Sequence, residues 1–351
     1  MDDAQVRHIL RGIAAPGGGD LVSAGLIEGI AIAEGTIRVA LRAERATVSA
    51  MEAAGHEVEA RLRGLPGVRQ VAVVLTSHKA GAPKTAAAAP RHGPDIAKAD
   101  ILPGVRRVIA VASGKGGVGK STVAVNLAVA LAQAGQRVGL IDADVHGPSL
   151  PRMLGASAKP AVQNGLMVPV EAFGVACMSI GFLVPEDQAM IWRGPMVMGA
   201  LTQMLGQVAW GVLDVMVIDL PPGTGDAQLT LSQKVDLAGA VIVSTPQDIA
   251  LIDARRGVAM FRKVAVPILG LIENMSYFSC PHCGARSEVF GHGGARHEAA
   301  QLGVAFLGQI PLLAAVRESG DAGRPIVVAA PESEAAQAFR AIAATVQALV
   351  A

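Results

Sequence analysis

Residues 113–122 read Ser-Gly-Lys-Gly-Gly-Val-Gly-Lys-Ser-Thr, and such a run can cradle phosphate. Glycines let successive backbone N–H groups curl around an anion, and a helix starting directly afterwards adds its dipole. On this reading Gly114, Lys115, Gly116, Gly117, Val118, Gly119, Lys120, Ser121 and Thr122 surround a nucleotide. Lys120 meets the β- and γ-phosphates and Ser121 ligates Mg²⁺. Two acidic strand ends complete the set: Leu140-Ile-Asp142-Ala-Asp144, and Val217-Ile-Asp219 leading into Leu-Pro-Pro-Gly223-Thr-Gly225-Asp226. A carboxylate after an apolar strand can hold Mg²⁺ through water, which suits Asp219. Asp142 supports either the ion or the loop, and Asp144 is the candidate for orienting and activating an attacking water. Gly223 and Gly225 leave the second loop free to change with the γ-phosphate. Asn274 ends a further strand, where its amide either reads an adenine edge or caps the turn.

A second chemical site is Ser279-Cys280-Pro-His282-Cys283-Gly284. A C-x-x-C turn aims two sulfurs at one point. A redox dithiol wants a thioredoxin-like context, which the surrounding sequence lacks. Metal binding is the stronger reading, and coordination number then decides. Zinc or a cubane iron–sulfur cluster wants about four protein ligands, and the pair supplies half. Cys177 lies in an apolar run and reads as core. Either His282, His292 and His297 complete a zinc site within one chain, or a second copy brings the missing thiolates. A cluster bridging two chains is exposed and labile, as a carrier requires; a zinc bridge of the same geometry is the structural alternative.

These residues need strands and helices to position them. Short Val/Ile-rich runs recur at Val108–Ala112, Val138–Asp142, Val215–Asp219, Ala240–Thr245, Ile268–Glu273 and Val304–Ile310, with helix-like segments between, the first at Thr122–Gln133. Continuous apolar strands alternating with helices predict an α/β domain with a mostly parallel sheet covered on both faces. Ligands in such sheets bind beyond the carboxyl ends of the strands, where every motif above falls. Residues 1–78 read as a small α+β unit in αββαβ order, with a hairpin at Glu34-Gly35, a helix over 48–63 ended by Leu65-Pro66-Gly67, and a strand over 68–76. Residues 79–104 contain prolines and an Ala run without apolar period, so they read as a linker to the domain of residues 105–351.

Composition narrows the classes. Of 351 residues, 51% are apolar and 17% charged, which excludes a disordered chain. Three cysteines exclude a disulfide scaffold and favour a reducing cytoplasm. The start, MDDAQVRHIL, has no apolar signal core, and the most apolar runs are shorter than the roughly 18 residues of a membrane span. A net charge of +1 carries no nucleic-acid footprint. The one basic excess, six Lys/Arg against two Asp/Glu, falls in residues 79–107 and reads as solvated linker.

The chain resembles the Mrp/ApbC family of P-loop ATPases, bacterial iron–sulfur cluster carriers within the wider ParA/MinD group. The stretches that carry the resemblance are Leu102-Pro-Gly-Val, the phosphate loop, Asp142-Ala-Asp-Val-His-Gly-Pro-Ser149, Met178-Ser-Ile-Gly-Phe182, Trp192-Arg-Gly-Pro-Met196, the run from Asp219 to Asp226, Glu273-Asn-Met-Ser276, Cys280-Pro-His-Cys283 and Arg317-Glu-Ser-Gly-Asp-Ala-Gly-Arg-Pro325. They span about residues 102–330. Lys115 matches the deviant form of the loop, whose extra lysine reaches the nucleotide of a facing subunit. The resemblance therefore implies a homodimer binding and slowly hydrolysing ATP with Mg²⁺. Lys115, Lys120 and Asp144 serve the nucleotide, and Cys280 and Cys283 hold a [4Fe–4S] cluster between subunits for transfer to apo-proteins. Its partners are apo-protein clients and a cluster-assembly scaffold, with neither nucleic acid nor membrane. Residues 1–78 look like the PaaD-type domain fused ahead of such ATPases. Here Ala15-Pro-Gly-Gly-Gly-Asp20 replaces its acidic Asp-Pro segment and no cysteine is present, which leaves a recognition or packing role. The alternative is a MinD/ParA-like positioning ATPase with a structural zinc at the Cys pair. Such proteins use a basic membrane helix or DNA-binding face, whereas Glu332–Ala351 has one Arg and an Ala-rich stripe that packs better than it anchors. A reductase component like the nitrogenase iron protein ranks last, because its cluster thiols are not a C-x-x-C pair.

Overall fold

In this computed structural model the described residues are 3–16, 18–33, 36–42, 48–65, 68, 70–76, 101–145, 147–184, 194–223 and 225–351. They form two compact units, one within residues 1–92 and one within 93–351. The expected hairpin turn at Glu34-Gly35, the helix stop at Pro66-Gly67, linker residues 79–100, Trp192-Arg193 and Thr224 lie outside the described residues.

The smaller unit runs α1 (Asp3–Leu10), β1 (Ile27–Ala33), β2 (Thr36–Arg42), α2 (Val48–Arg63), β3 (Gln70–Thr76), the order the sequence predicts. β1 pairs antiparallel with β2, and β2 pairs parallel with β3; the parallel pair needs a crossover, which α2 supplies. Alternate residues of β2, Ile37, Val39 and Leu41, pack with Val6, Leu10, Met51, Val58 and Leu62 of the two helices. Asp20, the acidic residue of the divergent segment, is occupied locally: its Oδ1 accepts the backbone N–H groups of Val22 and Ser23 at 2.8 and 2.9 Å.

The larger unit continues with β4 (Val105–Ala112), α3 (Lys120–Gln133), β5 (Val138–Asp142), α4 (Leu150–Met153), β6 (Val162–Gln163), β7 (Leu166–Met167), β8 (Val170–Ala172), β9 (Val175–Ser179), α5 (Gly194–Gly206), β10 (Leu213–Asp219) and α6 (Asp226–Lys234). After these come β11 (Gly239–Ser244), α7 (Asp248–Lys263), β12 (Ile268–Glu273), β13 (Phe278–Ser279), β14 (Arg286–Ser287), α8 (Gly294–Leu302), β15 (Phe306–Gln309), α9 (Ala314–Asp321), α10 (Ile326–Ala329) and α11 (Glu334–Val350). Eight strands form one sheet in the order β15-β12-β11-β4-β10-β5-β9-β8, parallel except at the β8–β9 edge. All six expected strands are present, with ends shifted by up to three residues. β8 and β9 were not expected as strands; the run around Cys177 is β9, fully buried.

Strand side chains alternate between two cores. Ile109 and Val111 of β4 face Leu127 of α3 and Phe339 of α11, while Val108, Ala110 and Ala112 face Leu201 of α5 and Phe261 of α7. Each fully buried Leu or Phe contributes about 1.5–3 kcal/mol, so two-sided cover, rather than aromatic bulk, stabilises this sheet. α11 is packed along its apolar stripe, with Ala335, Ala336, Phe339, Ile342, Ala343 and Val346 buried. Among the described residues no helix is long and apolar enough to cross a membrane.

Candidate functional site

Parallel register places the acidic residues. Asp219 at the end of β10 stands opposite Val111 of β4 on one side and Asp142 of β5 on the other. The loop of residues 113–119 leaves β4 at the same edge, so three neighbouring strands deliver the glycine loop and two carboxylates to one rim. Gly119 is the cap of α3 with φ of 79°, and a Cβ there would sit 2.2 Å from the Asn274 amide nitrogen. Only glycine meets both demands. Gly116 and Gly117 are exposed at the loop tip, Val118 is buried, and Ser121 and Thr122 open the helix.

Lys120 is 6% exposed and its Nζ reaches Asp219 Oδ1 at 2.5 Å and Ser121 Oγ at 3.2 Å. The other oxygen of Asp219 is buried without a hydrogen-bond partner. A buried carboxylate oxygen left open beside a Ser hydroxyl fits a divalent cation, because such an oxygen costs free energy unless something satisfies it. Burial pushes the Asp219 carboxyl up, against the pull of the Lys120 ammonium.

Asp142 is differently engaged. Its Oδ1 accepts the N–H of Asp144 at 3.0 Å; its Oδ2 accepts the N–H groups of Ser149 and Leu150 at 3.1 and 3.3 Å and the hydroxyl of Ser179 at 3.1 Å. Three of these four donors are backbone N–H groups of the loop that follows Asp142, and the fourth, Ser179, ends β9. Burial and the neighbouring Asp219 carboxylate push its pKa to about 7, against the donors that pull it down. Asp144 lies near enough to Asp219 to act on its ionisation. Lys115 is half-buried and, among the described residues, makes no ion pair.

The Asn274 amide donates to the Val118 carbonyl at 2.8 Å, so it grips the phosphate loop across 156 residues of sequence. It also borders a cavity of about 450 Å³ beside Gly119 and Thr122, walled by Met275, Pro311 and Leu313. That slot, apolar-sided with an amide at its mouth, has the character of a base pocket. Its far wall was not legible, because Pro311 and Leu313 lie in no motif. Gln228 was also missed: it is buried, and its amide donates to the carbonyls of Pro221 and Gly223 at 2.8 and 3.1 Å, bracing the loop after Asp219.

Cys280 and Cys283 occupy the tip of the β13–β14 hairpin, half-buried and exposed respectively. The backbone N–H groups of His282 and Cys283 and the Cys283 thiol all point to the Cys280 sulfur and hold its pKa below the ordinary thiol range. The two sulfurs thus converge in a thiolate-favouring turn. The histidines do not join them: His292 pairs with Glu288 at 2.9 Å, His297 with Gln301 at 2.9 Å, and His282 is exposed. Among the described residues no three His, Cys, Asp or Glu side chains converge on a point. The three histidines therefore do not gather around the Cys pair among the described residues. Cys177 is distant in β9, and burial pushes its thiol up, as befits a core residue.

A ParA-group family described as "NUBPL iron-transfer P-loop NTPase" matches residues 104–347, and one described as "Iron-sulfur cluster assembly protein" matches residues 3–73. The chain belongs to the NUBPL iron-transfer P-loop NTPase family. It is 57% identical over 247 residues to the Arabidopsis thaliana "Iron-sulfur protein required for NADH dehydrogenase, mitochondrial", covering 70% of this chain and 79% of that one. It is 48% identical over 328 residues to the "Iron-sulfur cluster carrier protein" of Deinococcus radiodurans, covering 93% and 89%. Among solved structures, a nucleotide-binding protein of Archaeoglobus fulgidus in complex with ADP aligns with a TM-score of 0.60 and 41% identity, over 68% of this chain and 94% of that one. The MinD cell-division ATPase of Pyrococcus furiosus aligns with 0.52 and 25%, over 69% and 99%.

Proposed function

We propose that this chain is an ATP-binding iron–sulfur carrier that holds a [4Fe–4S] cluster between two copies of itself and passes it to apo-proteins. The carrying observation is the convergent Cys280–Cys283 pair, with no third ligand near it among the described residues, in a chain whose relatives are named iron–sulfur carriers and transfer proteins. Two thiolates from each copy complete four ligands.

The nucleotide side follows from the same geometry. Lys120 exchanges its carboxylate contact for the β- and γ-phosphates, whose oxygens meet the N–H groups of residues 114–122. Ser121 and Asp219 would hold Mg²⁺, which would neutralise phosphate charge. Asp144 orients the water that attacks the γ-phosphorus, releasing ADP and phosphate. Asp142 keeps the Asp144–Leu150 loop in place. The adenine sits in the cavity by Asn274, and Lys115 reaches across to the partner's nucleotide. Turnover is slow, and its use is to open and close the two-chain assembly. The positioning-ATPase alternative is less favoured, because α11 spends its apolar stripe on the core and, among the described residues, zinc finds no third ligand beside the Cys pair.

The test is anaerobic reconstitution with iron and sulfide. Cys280→Ala and Cys283→Ala should abolish cluster retention while leaving nucleotide binding intact. Lys120→Ala should retain the cluster and lose about 10²–10³-fold in turnover. A zinc-loaded, colourless dimer that takes up no iron ends the carrier reading.

A further inference from the structure

The cysteine hairpin is a weakly built element. Its ladder has two residue pairs, Phe278 with Ser287 and Ser279 with Arg286, and so short a hairpin does not hold its shape alone. Inside the turn, the Cys280 N–H donates to the Ala285 carbonyl at 2.9 Å and the Gly284 N–H to the Cys280 carbonyl at 2.8 Å. At its root, the Leu312 N–H donates to the Tyr277 carbonyl at 2.7 Å. None of these three bonds, nor the Phe278–Leu312 bridge at the root, ties the hairpin to α11.

One side chain does. Glu334 opens α11, and three groups converge on its carboxylate: the Tyr277 hydroxyl at 2.6 Å, the Ser279 hydroxyl at 3.1 Å, and the Arg286 guanidinium. Arg286 also lies over the Tyr277 ring, 4.2 Å from its centroid. Among the described residues, every side-chain hydrogen bond leaving 278–287 for the rest of the chain ends on Glu334. The ion pair to Arg286, whose guanidinium is more than half exposed, would alone count for little. Tyr277 is buried, however, and a hydrogen bond to an ionised acceptor is the stronger kind. The Tyr277 hydrogen bond holds the Glu334 carboxyl below its usual range, so Glu334 is ionised at neutral pH. Its helix is anchored independently, by the buried stripe from Ala335 to Val346.

We propose that Glu334 is the positioning residue of the thiolate pair: by gripping Tyr277, Ser279 and Arg286 at once, it fixes the hairpin against the first turn of α11 and presents Cys280 and Cys283 at one set angle. The proposal rests on reading that pair as the cluster site. A cluster shared between two copies needs four thiolates to meet, so a hairpin free to swing would lose it quickly even with both cysteines intact.

The experiment compares wild type with Glu334→Gln and Glu334→Ala. In the metal-free protein, amide exchange at Cys280 and Gly284 should rise about tenfold in Glu334→Ala, with the amides of residues 339–346 unchanged. After reconstitution, a ferrous chelator should strip iron about tenfold faster from Glu334→Ala and at an intermediate rate from Glu334→Gln, which keeps an acceptor but loses the charge. ATP turnover should stay within about twofold. Unchanged exchange at Cys280 and Gly284, or faster exchange spread through α11, overturns the positioning role. If wild type itself retains no iron, the carrier reading falls, and the exchange comparison still decides what Glu334 does.

Discussion

At the residue scale, the two strand-end carboxylates show how register governs chemistry. Asp142 and Asp219 stand side by side because β5 and β10 pair in parallel, and both are fully buried. The outcome differs because their partners differ. Asp219 has an ammonium and one open oxygen, whereas both oxygens of Asp142 are hydrogen-bonded, by four donors in all. The folded Asp142 carboxyl, pushed to about 7, lies above its unfolded value near 3.9. Folding therefore favours the protonated form, and stability from this group is fully present below about pH 4 and lost as pH rises to about 7. The melting temperature of the nucleotide-free protein should fall over this window, and Asp142→Ala should flatten the slope although it lowers the overall value. An unaltered slope in the variant would assign the pH dependence elsewhere.

At the element scale, the loop between β4 and α3 depends on conformations that only glycine adopts cheaply. Gly119→Ala forces a Cβ onto the Asn274 amide and into the left-handed region, which costs about 1–2 kcal/mol from backbone strain alone. The Asn274 contact to Val118 should break with it, so nucleotide affinity should fall further than stability does. Titration calorimetry beside a melting curve separates the two. The hairpin of β13 and β14 is the opposite case: two ladder pairs leave it dependent on α11 for its aim.

At the scale of the whole molecule, the proposed reading gives one chain half of a four-thiolate site, and Lys115 has no ion-pair partner among the described residues. On that reading a second copy completes both. With ATP and a reconstituted cluster, native mass should correspond to two chains sharing about four irons. Lys115→Ala should weaken ATP-dependent pairing while a pre-formed cluster still holds some dimer. A stable monomer carrying a full cluster would contradict the two-copy arrangement.

The phosphate loop, both acidic strand ends, the C-x-x-C pair and six sheet strands were legible in the sequence, because each depends on local spacing: glycines beside a helix start, a carboxylate after an apolar run, two thiols three residues apart. The division of labour between Asp142 and Asp219 was not, since it depends on which backbone N–H groups of residues 144–150 turn towards which oxygen. Asn274 was legible as a strand-end amide, but its grip on Val118 required two distant strands to be brought together. Gln228, the cavity wall at Pro311 and Leu313, and the convergence on Glu334 carry no motif at all. They arise where chain segments far apart in sequence meet, and local residue spacing holds no record of such meetings.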